Sequence, residues 1–304
     1  MIAPHAGPDL RALIDAQLEA FPEHAAALDR RFSAGADLVF CDTLAATIRA
    51  IAGQDLPRLC ADYRWLAAAV LEEELFFRRE GRYRLSSFAE AEAQVYADPV
   101  YMTRYMNGLL LSQLWWANHT EVLRRFAEQF LPANPAGARH LEIGPGHGLF
   151  LLLAAADPRT AEAIGWDVSP ASLALVEKTF AAVRRPVPTL ALVDLFEDRA
   201  DQPPFDSITF SEVLEHLEDP AAALARLHGL LRPGGRLFLN APVNSPAPDH
   251  IFLFDTPEAI VDLATAAGFE IGSVALATTA GVSVERARRL KLAISTVVIA
   301  RRPF

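Results

Sequence analysis

Three glycines, Gly144, Gly146 and Gly148, interrupt an otherwise apolar stretch, HLEIGPGHGLFLLLAA. Glycine lets a backbone turn sharply and approach a ligand closely, and a helix opening just after such a turn presents free N–H groups. Glu142 stands immediately ahead of this loop, and Asp167 follows about 20 residues on, where a carboxylate can accept hydrogen bonds from ribose hydroxyls. Asp194 and Leu195 lie in LALVDLFED, and Ser211 and Glu212 in FDSITFSEVLEHLEDP. Glycine loop and first acid alone fit NAD and S-adenosylmethionine alike. Two histidines could take a proton from a reacting group: His216 in SEVLEHLEDP and His250 in APVNSPAPDHIFLF. Each could equally orient a substrate or serve the structure.

The elements that must position these residues follow from periodicity and turn chemistry. Strands are predicted at 139–143, 163–166, 189–193, 205–210, 235–240, 270–277 and 292–300, with helices between most of them, as at 172–182, 220–231 and 257–267. Alternating strands and helices give an α/β fold, a doubly wound, mainly parallel sheet covered on both faces. Ligands bind such sheets beyond the carboxyl ends of the strands, where Glu142, Asp167, Asp194, Ser211 and Glu212 all fall. The preceding region, 1–131, is mainly helical, with Leu10, Leu13, Ile14, Leu18 and Phe21 at helical spacing. LFFRREGRYRLS reads as two short strands around Glu80-Gly81, with Phe77 and Tyr83 on one face. Helices followed by a hairpin are the outline of a winged helix. LPANPAGA then supplies a linker to a second domain, 132–304.

The ordered set, from glycine loop through Asp167 and Asp194 to FDSITFSEVLEHLEDP and LRPGGRLFLNAP, resembles the class I S-adenosylmethionine-dependent methyltransferase family over about 139–300. The resemblance implies a Rossmann-like seven-stranded sheet ending in an antiparallel strand, and S-adenosyl-L-methionine as cofactor. It places Gly144, Gly146 and Gly148 beside the cofactor's amino-acid part with Glu142 in support. Asp167 would hold the ribose, Asp194 the adenine amino group with Leu195 flanking the ring, and Ser211 and Glu212 would border the methionyl end. The helical region resembles, in architecture, the winged-helix dimerisation domain of small-molecule O-methyltransferases, which implies a homodimer. In that group a His-Asp pair follows the fourth strand; here the residues read Glu215-His216-Leu217-Glu218.

The methyl acceptor is not written in these motifs. A phenol is mostly protonated at neutral pH and benefits from a base, whereas a carboxylate is already ionised. Hydroxyl and carboxylate acceptors, including a peptide-derived carboxylate, stay open, as do C- and N-methylation. YMTRYMNGLLLSQLWWANHTEVLRRF carries Tyr101, Arg104, Tyr105, Trp115 and His119 as candidate substrate contacts, with Trp116 as a further wall. Tyr101 and Tyr105 share a face by their i, i+4 spacing, and Arg104 could anchor a carboxylate. The same segment also suits an amphipathic packing helix. The RARRLK run reads as a solvated helix face.

Composition narrows the partners. The 304 residues are 52% hydrophobic with a formal net charge of -10, ample for a core and poorly matched to nucleic acid, whose binders present a basic face. A winged-helix DNA-binding regulator and a non-catalytic scaffold are the alternatives from other classes. No uninterrupted apolar run suggests a membrane span, no leader is read at the start of the chain, and a cytoplasmic location is expected. Cys41 and Cys60 lack metal-ligand spacing and read as core residues, so no metal is expected.

Overall fold

The computed structural model describes residues 5–33, 37–197 and 202–304; residues 1–4, where no leader was read, lie outside them. Seven helices come first: α1 Pro8–Ala20, α2 Ala25–Phe32, α3 Leu38–Ala52, α4 Leu56–Glu80, α5 Phe88–Ala91, α6 Pro99–Trp115 and α7 Ala117–Arg125. On α3, Cys41, Leu44, Ala45, Ile48 and Ala52 form one buried face, and Asp37 caps the start by accepting from the Phe40 N–H. Cys60 is buried as well, and both thiols are free. Asp98 caps α6 by accepting from the Val100 and Tyr101 N–H groups, with Pro99 at the first helical position. Helices α6 and α7 are separated where Trp116 adopts an extended conformation.

The hairpin expected at 75–86 does not form, and the winged-helix outline loses its wing. Helix α4 runs on to Glu80, tied by Arg78 to Glu74 one turn back. Gly81 ends it in the left-handed region, φ +71°, donating its N–H to the Phe77 carbonyl. A left-handed glycine just past a helix is a C-terminal cap. The chain then reverses, so the Phe77 and Tyr83 rings still meet, at 5.8 Å, without a β-ladder.

After α7 the chain alternates: β1 Ala138–Ile143, α8 Leu149–Ala156, β2 Thr160–Asp167, α9 Pro170–Ala182, β3 Thr189–Leu192, β4 Phe205–Ser211, α10 Pro220–Leu230, β5 Leu231–Val243, α11 Pro257–Ala266, β6 Glu270–Thr278, α12 Val284–Leu290 and β7 Ile294–Arg301. The strands form one sheet in the order β3-β2-β1-β4-β5-β7-β6. β1 pairs in parallel with β2 and β4, and β5 with β4, while β7 runs antiparallel between β5 and β6. This is the Rossmann-like seven-stranded arrangement the motifs imply. α9, α10 and α11 start alike: Ser169, Asp219 and Thr256 accept from backbone N–H groups, and each is followed by proline. The basic run lies on α12, where Arg288 pairs with Glu258.

The helical region and the sheet share one core. Phe126 and Phe130, just past α7, pack on Phe238 of β5 at 5.2 and 5.4 Å, and Phe126 also meets Phe150 of α8 at 5.0 Å. These rings lock the helices over the sheet. Beneath them His140 is fully buried, with Nδ1 2.8 Å from Ser207 Oγ and Nε2 3.2 Å from Thr209 Oγ1. Burial lowers its pKa to about 3, so the folded protein holds it neutral while the unfolded chain protonates it below about 6.5. Its contribution is therefore complete above pH 6.5 and declines progressively toward pH 3. Melting curves at pH 7 and pH 5 test this: the fall in Tm is expected to be smaller in His140→Gln than in wild type, and equal falls would contradict the assignment.

Candidate active site

The carboxyl ends of β1, β2, β4 and β5 open into a cavity of about 720 Å³. Gly144, at the end of β1, has φ +69° and its N–H reaches the Trp166 carbonyl of β2 at 2.8 Å. A Cβ there would come 2.7 Å from Val213 Cγ2, so both the turn and the close approach require glycine. Gly146 and Gly148 complete the loop, and α8 begins directly after it.

Glu142 is 4% exposed, and its Oε2 has no hydrogen-bond partner. Burial, reinforced by the charge of Asp167, pushes its carboxyl well above the usual range. Asp167 Oδ1 accepts from the Ser169 N–H at 2.8 Å and Oδ2 from the Ser172 hydroxyl at 2.6 Å. It thus organises the loop into α9 while facing the cavity. Burial raises its pKa, opposed by those two bonds and one from the Val168 N–H. Asp194 is exposed, its Oδ1 accepting from the Phe196 N–H, and Leu195 beside it is buried.

Beyond β4, Glu212 adopts φ +53°, strained for a side-chain-bearing residue. Asn240 of β5 holds this segment, its amide donating to Ser211 Oγ at 3.1 Å and to Glu212 Oε1 at 2.7 Å. Burial moves the Glu212 carboxyl up to about 7, with the Asn240 bond opposing and the Asp249 charge adding. Glu142, Gly144, Gly146, Asp167, Asp194, Leu195, Ser211 and Glu212 all line the cavity. Gly148 lies just beneath, packed against Val176.

On the opposite side, His216 Nδ1 lies 3.0 Å from the Asp249 carbonyl and 3.2 Å from Tyr96 Oη. Its ring meets the His250 ring edge-on at 4.9 Å. Asp249 is the hub: its carboxylate accepts from Tyr105 Oη at 2.6 Å and Tyr96 Oη at 3.2 Å. Burial, then the Asp249 charge, raises both phenols well above their ordinary range. His250 is held neutral, its pKa lowered to about 4 chiefly by burial. His119 also lines the cavity, its Nδ1 3.0 Å from Ser112 Oγ, and burial lowers it to about 3.

Three proposed contacts do not reach the cavity. Arg104 turns outward to Asp62 Oδ1 at 3.4 Å and lies over the Trp65 ring. Tyr101 packs edge-on against Trp65. Trp115 is in the helical core, donating from Nε1 to Gln17 Oε1 at 3.0 Å, while its neighbour Trp116 lines the cavity. Sequence reasoning missed Tyr96, Asn240 and Asp249. Only Asp249 carried a signal, as an acid beside His250 in the loop after β5.

The residues present fit S-adenosylmethionine. The glycine turn leaves room for a close ligand, Glu142 Oε2 lacks a partner, and no lysine or arginine lines the cavity among the described residues. Such a lining suits a cationic nucleoside and opposes a pyrophosphate. Asp167→Ala removes a charged acceptor worth about 1.5–3 kcal/mol. It is expected to weaken S-adenosylhomocysteine binding about 10–100-fold by calorimetry. Ser172→Ala, which loosens only the loop, should cost less than about 10-fold. Equal affinity in Asp167→Ala and wild type would refute the ribose role.

A family model described as "Methyltransferase domain" matches residues 115–274. A ubiquinone biosynthesis O-methyltransferase of Pseudomonas syringae is 28% identical over 131 residues, 43% of this chain and 55% of that protein. A trans-aconitate 2-methyltransferase of Methylobacterium radiotolerans is 38% identical over 128 residues, 41% of this chain and 47% of that protein. The chain spans about half the length of the curated relatives it matches. The crystal structure of the Synechocystis magnesium protoporphyrin IX methyltransferase with bound S-adenosylmethionine superposes with a TM-score of 0.53, at 19% identity, covering 72% of this chain and 98% of that one. That likeness speaks for the fold. With more than half its length matched by the family model, and the glycine loop and acidic residues arranged around one cavity, the chain belongs to the S-adenosylmethionine-dependent methyltransferase family.

Proposed function

We propose that this protein methylates a hydroxyl oxygen of a small molecule with a largely apolar body. The observation that carries this reading is the composition of the cavity wall. Met102, Met106, Leu109 and Trp116 of the helical region line it, polar groups converge on one side, and neither lysine nor arginine contributes among the described residues. A carboxylate acceptor, including a peptide C-terminus, would call for a cationic anchor, and Arg104 is committed to Asp62. A neutral hydroxyl needs no such partner. The names of the similar ubiquinone biosynthesis enzymes point to oxygen as well.

S-Adenosylmethionine, when bound, supplies a methyl group already activated by its sulfonium. The chain's own task is positioning and water exclusion. In this reading Glu142, the glycine loop, Asp167, Asp194 and Leu195 hold one side of the cavity, and Ser211 and Glu212 border the reacting end. Tyr105 fixes Asp249, Asp249 and Tyr96 fix His216, and His250 and His119 complete the polar side. The acceptor hydroxyl is oriented by His216 and His250, while helices α6 and α7 cover it.

Incubation with methyl-labelled S-adenosylmethionine and matched phenols, alcohols and carboxylic acids tests the acceptor. Label is expected in an alkali-stable ether, and label only in an alkali-labile ester would contradict the hydroxyl reading. Tyr105→Phe removes one hydrogen bond to a carboxylate, worth about 1.5–3 kcal/mol. It should lower kcat/KM by about 10-fold or more.

A further inference from the structure

Glu215 is fully buried in the short turn that follows β4, and neither carboxylate oxygen has a hydrogen-bond partner. An unpaired carboxylate in such a place is strongly disfavoured. Two imidazoles face it. His250 Nδ1 lies 2.6 Å from the Ser245 carbonyl, and His216 Nδ1 3.0 Å from the Asp249 carbonyl. A carbonyl can only accept, so each Nδ1 carries the ring proton and each Nε2 is left with a lone pair. Both Nε2 atoms stand 3.8 Å from Glu215 Oε1. That is too far for a hydrogen bond. Three electron-pair donors thus converge with nothing positive between them.

We propose that Glu215, His216 and His250 hold one divalent first-row transition cation at the acceptor side of the cavity. One donor atom from each residue lies within 4.8 Å of the other two. Two ligands about 2.1 Å from a shared zinc stand about 3.4 Å apart at a tetrahedral angle, so each histidine–glutamate distance of 3.8 Å needs to shorten by only a few tenths of an ångström, while the two imidazoles, within 4.8 Å of each other, turn further inward. Two imidazoles and one carboxylate favour Zn²⁺, Co²⁺, Fe²⁺ or Mn²⁺ over the oxygen-seeking Mg²⁺ and Ca²⁺. The Nδ1–H bonds to backbone carbonyls are the outer contacts that fix ligating histidines. Tyr96 and Tyr105 brace the same turn through Asp249. Sequence spacing hides the set, because His250 arrives from the loop after β5.

The role of the cation rests on the hydroxyl-acceptor reading; its binding does not. His216 and His250 both border the cavity, so an open coordination position there can take the acceptor hydroxyl and lower its pKa. The hydroxyl proton passes to water. The oxygen lone pair then forms the new O–C bond as the methyl C–S bond breaks, its electron pair remaining on sulfur as a neutral thioether. No redox change is involved.

Protein stripped with a chelator and titrated with Zn²⁺ by calorimetry tests the site, with Co²⁺ absorption as a second readout. One equivalent per chain at micromolar affinity or better is expected, with Co²⁺ showing ligand-field bands of a histidine-ligated site. Glu215→Gln and His250→Ala should each weaken binding at least 100-fold, while circular dichroism and S-adenosylhomocysteine affinity stay as in wild type. Failure of wild type to bind Zn²⁺, Co²⁺ or Mn²⁺ below millimolar would overturn the proposal, as would undiminished affinity in folded variants. The wild-type Co²⁺ spectrum needs no variant to fold. Ester rather than ether products would sink the hydroxyl reading while leaving a measured cation site standing.

Discussion

Burying carboxyl groups around one cavity, with no lysine or arginine in its described wall, is the constraint on which the site depends. Even after relaxation, removing a carboxylate from water costs several kcal/mol unless partners replace the lost hydration. The chain supplies many of them. Ser172 and the Ser169 N–H serve Asp167, Asn240 serves Glu212, and Tyr96 and Tyr105 serve Asp249. Glu142 Oε2 and both Glu215 oxygens are left without partners. The unmet need is for positive charge, which in the proposed reading a sulfonium nucleoside supplies at Glu142.

This division follows the architecture. The parallel strands bring the glycine loop, Asp167 and Glu212 to one edge, as any sheet of this topology can. The acceptor side is assembled by the helical region instead. Met106 of α6 lies over Gly146, Tyr105 and Tyr96 reach Asp249, and Tyr83 accepts from the Ser245 N–H to hold the loop carrying His250. Because Phe126 and Phe130 root those helices in the same core as Phe238 and Phe150, helices and sheet present the two sides of the cavity in fixed register.

Much of the sheet was legible because its signals are local. Strand-turn-helix chemistry and acids at strand ends lie within a few residues of what they act on. The hairpin failed because residues 75–80 can satisfy both periods, and α4 extends until a left-handed glycine stops it. α6 defeated face assignment for a different reason. It is buried on several sides, so Tyr105 faces the cavity, Trp115 the helical core and Arg104 an acid on α4. Tyr96, Asn240 and Asp249 were hidden because their partners lie far along the chain, and no local pattern records such a meeting.

The most direct test of a cavity built for a positively charged adenosine compound is calorimetry on the folded protein with S-adenosylmethionine, S-adenosylhomocysteine and NAD in turn. Saturable one-to-one binding of the first two with no heat from NAD is the predicted result. Uptake of NAD, with neither sulfur nucleoside bound, would contradict it.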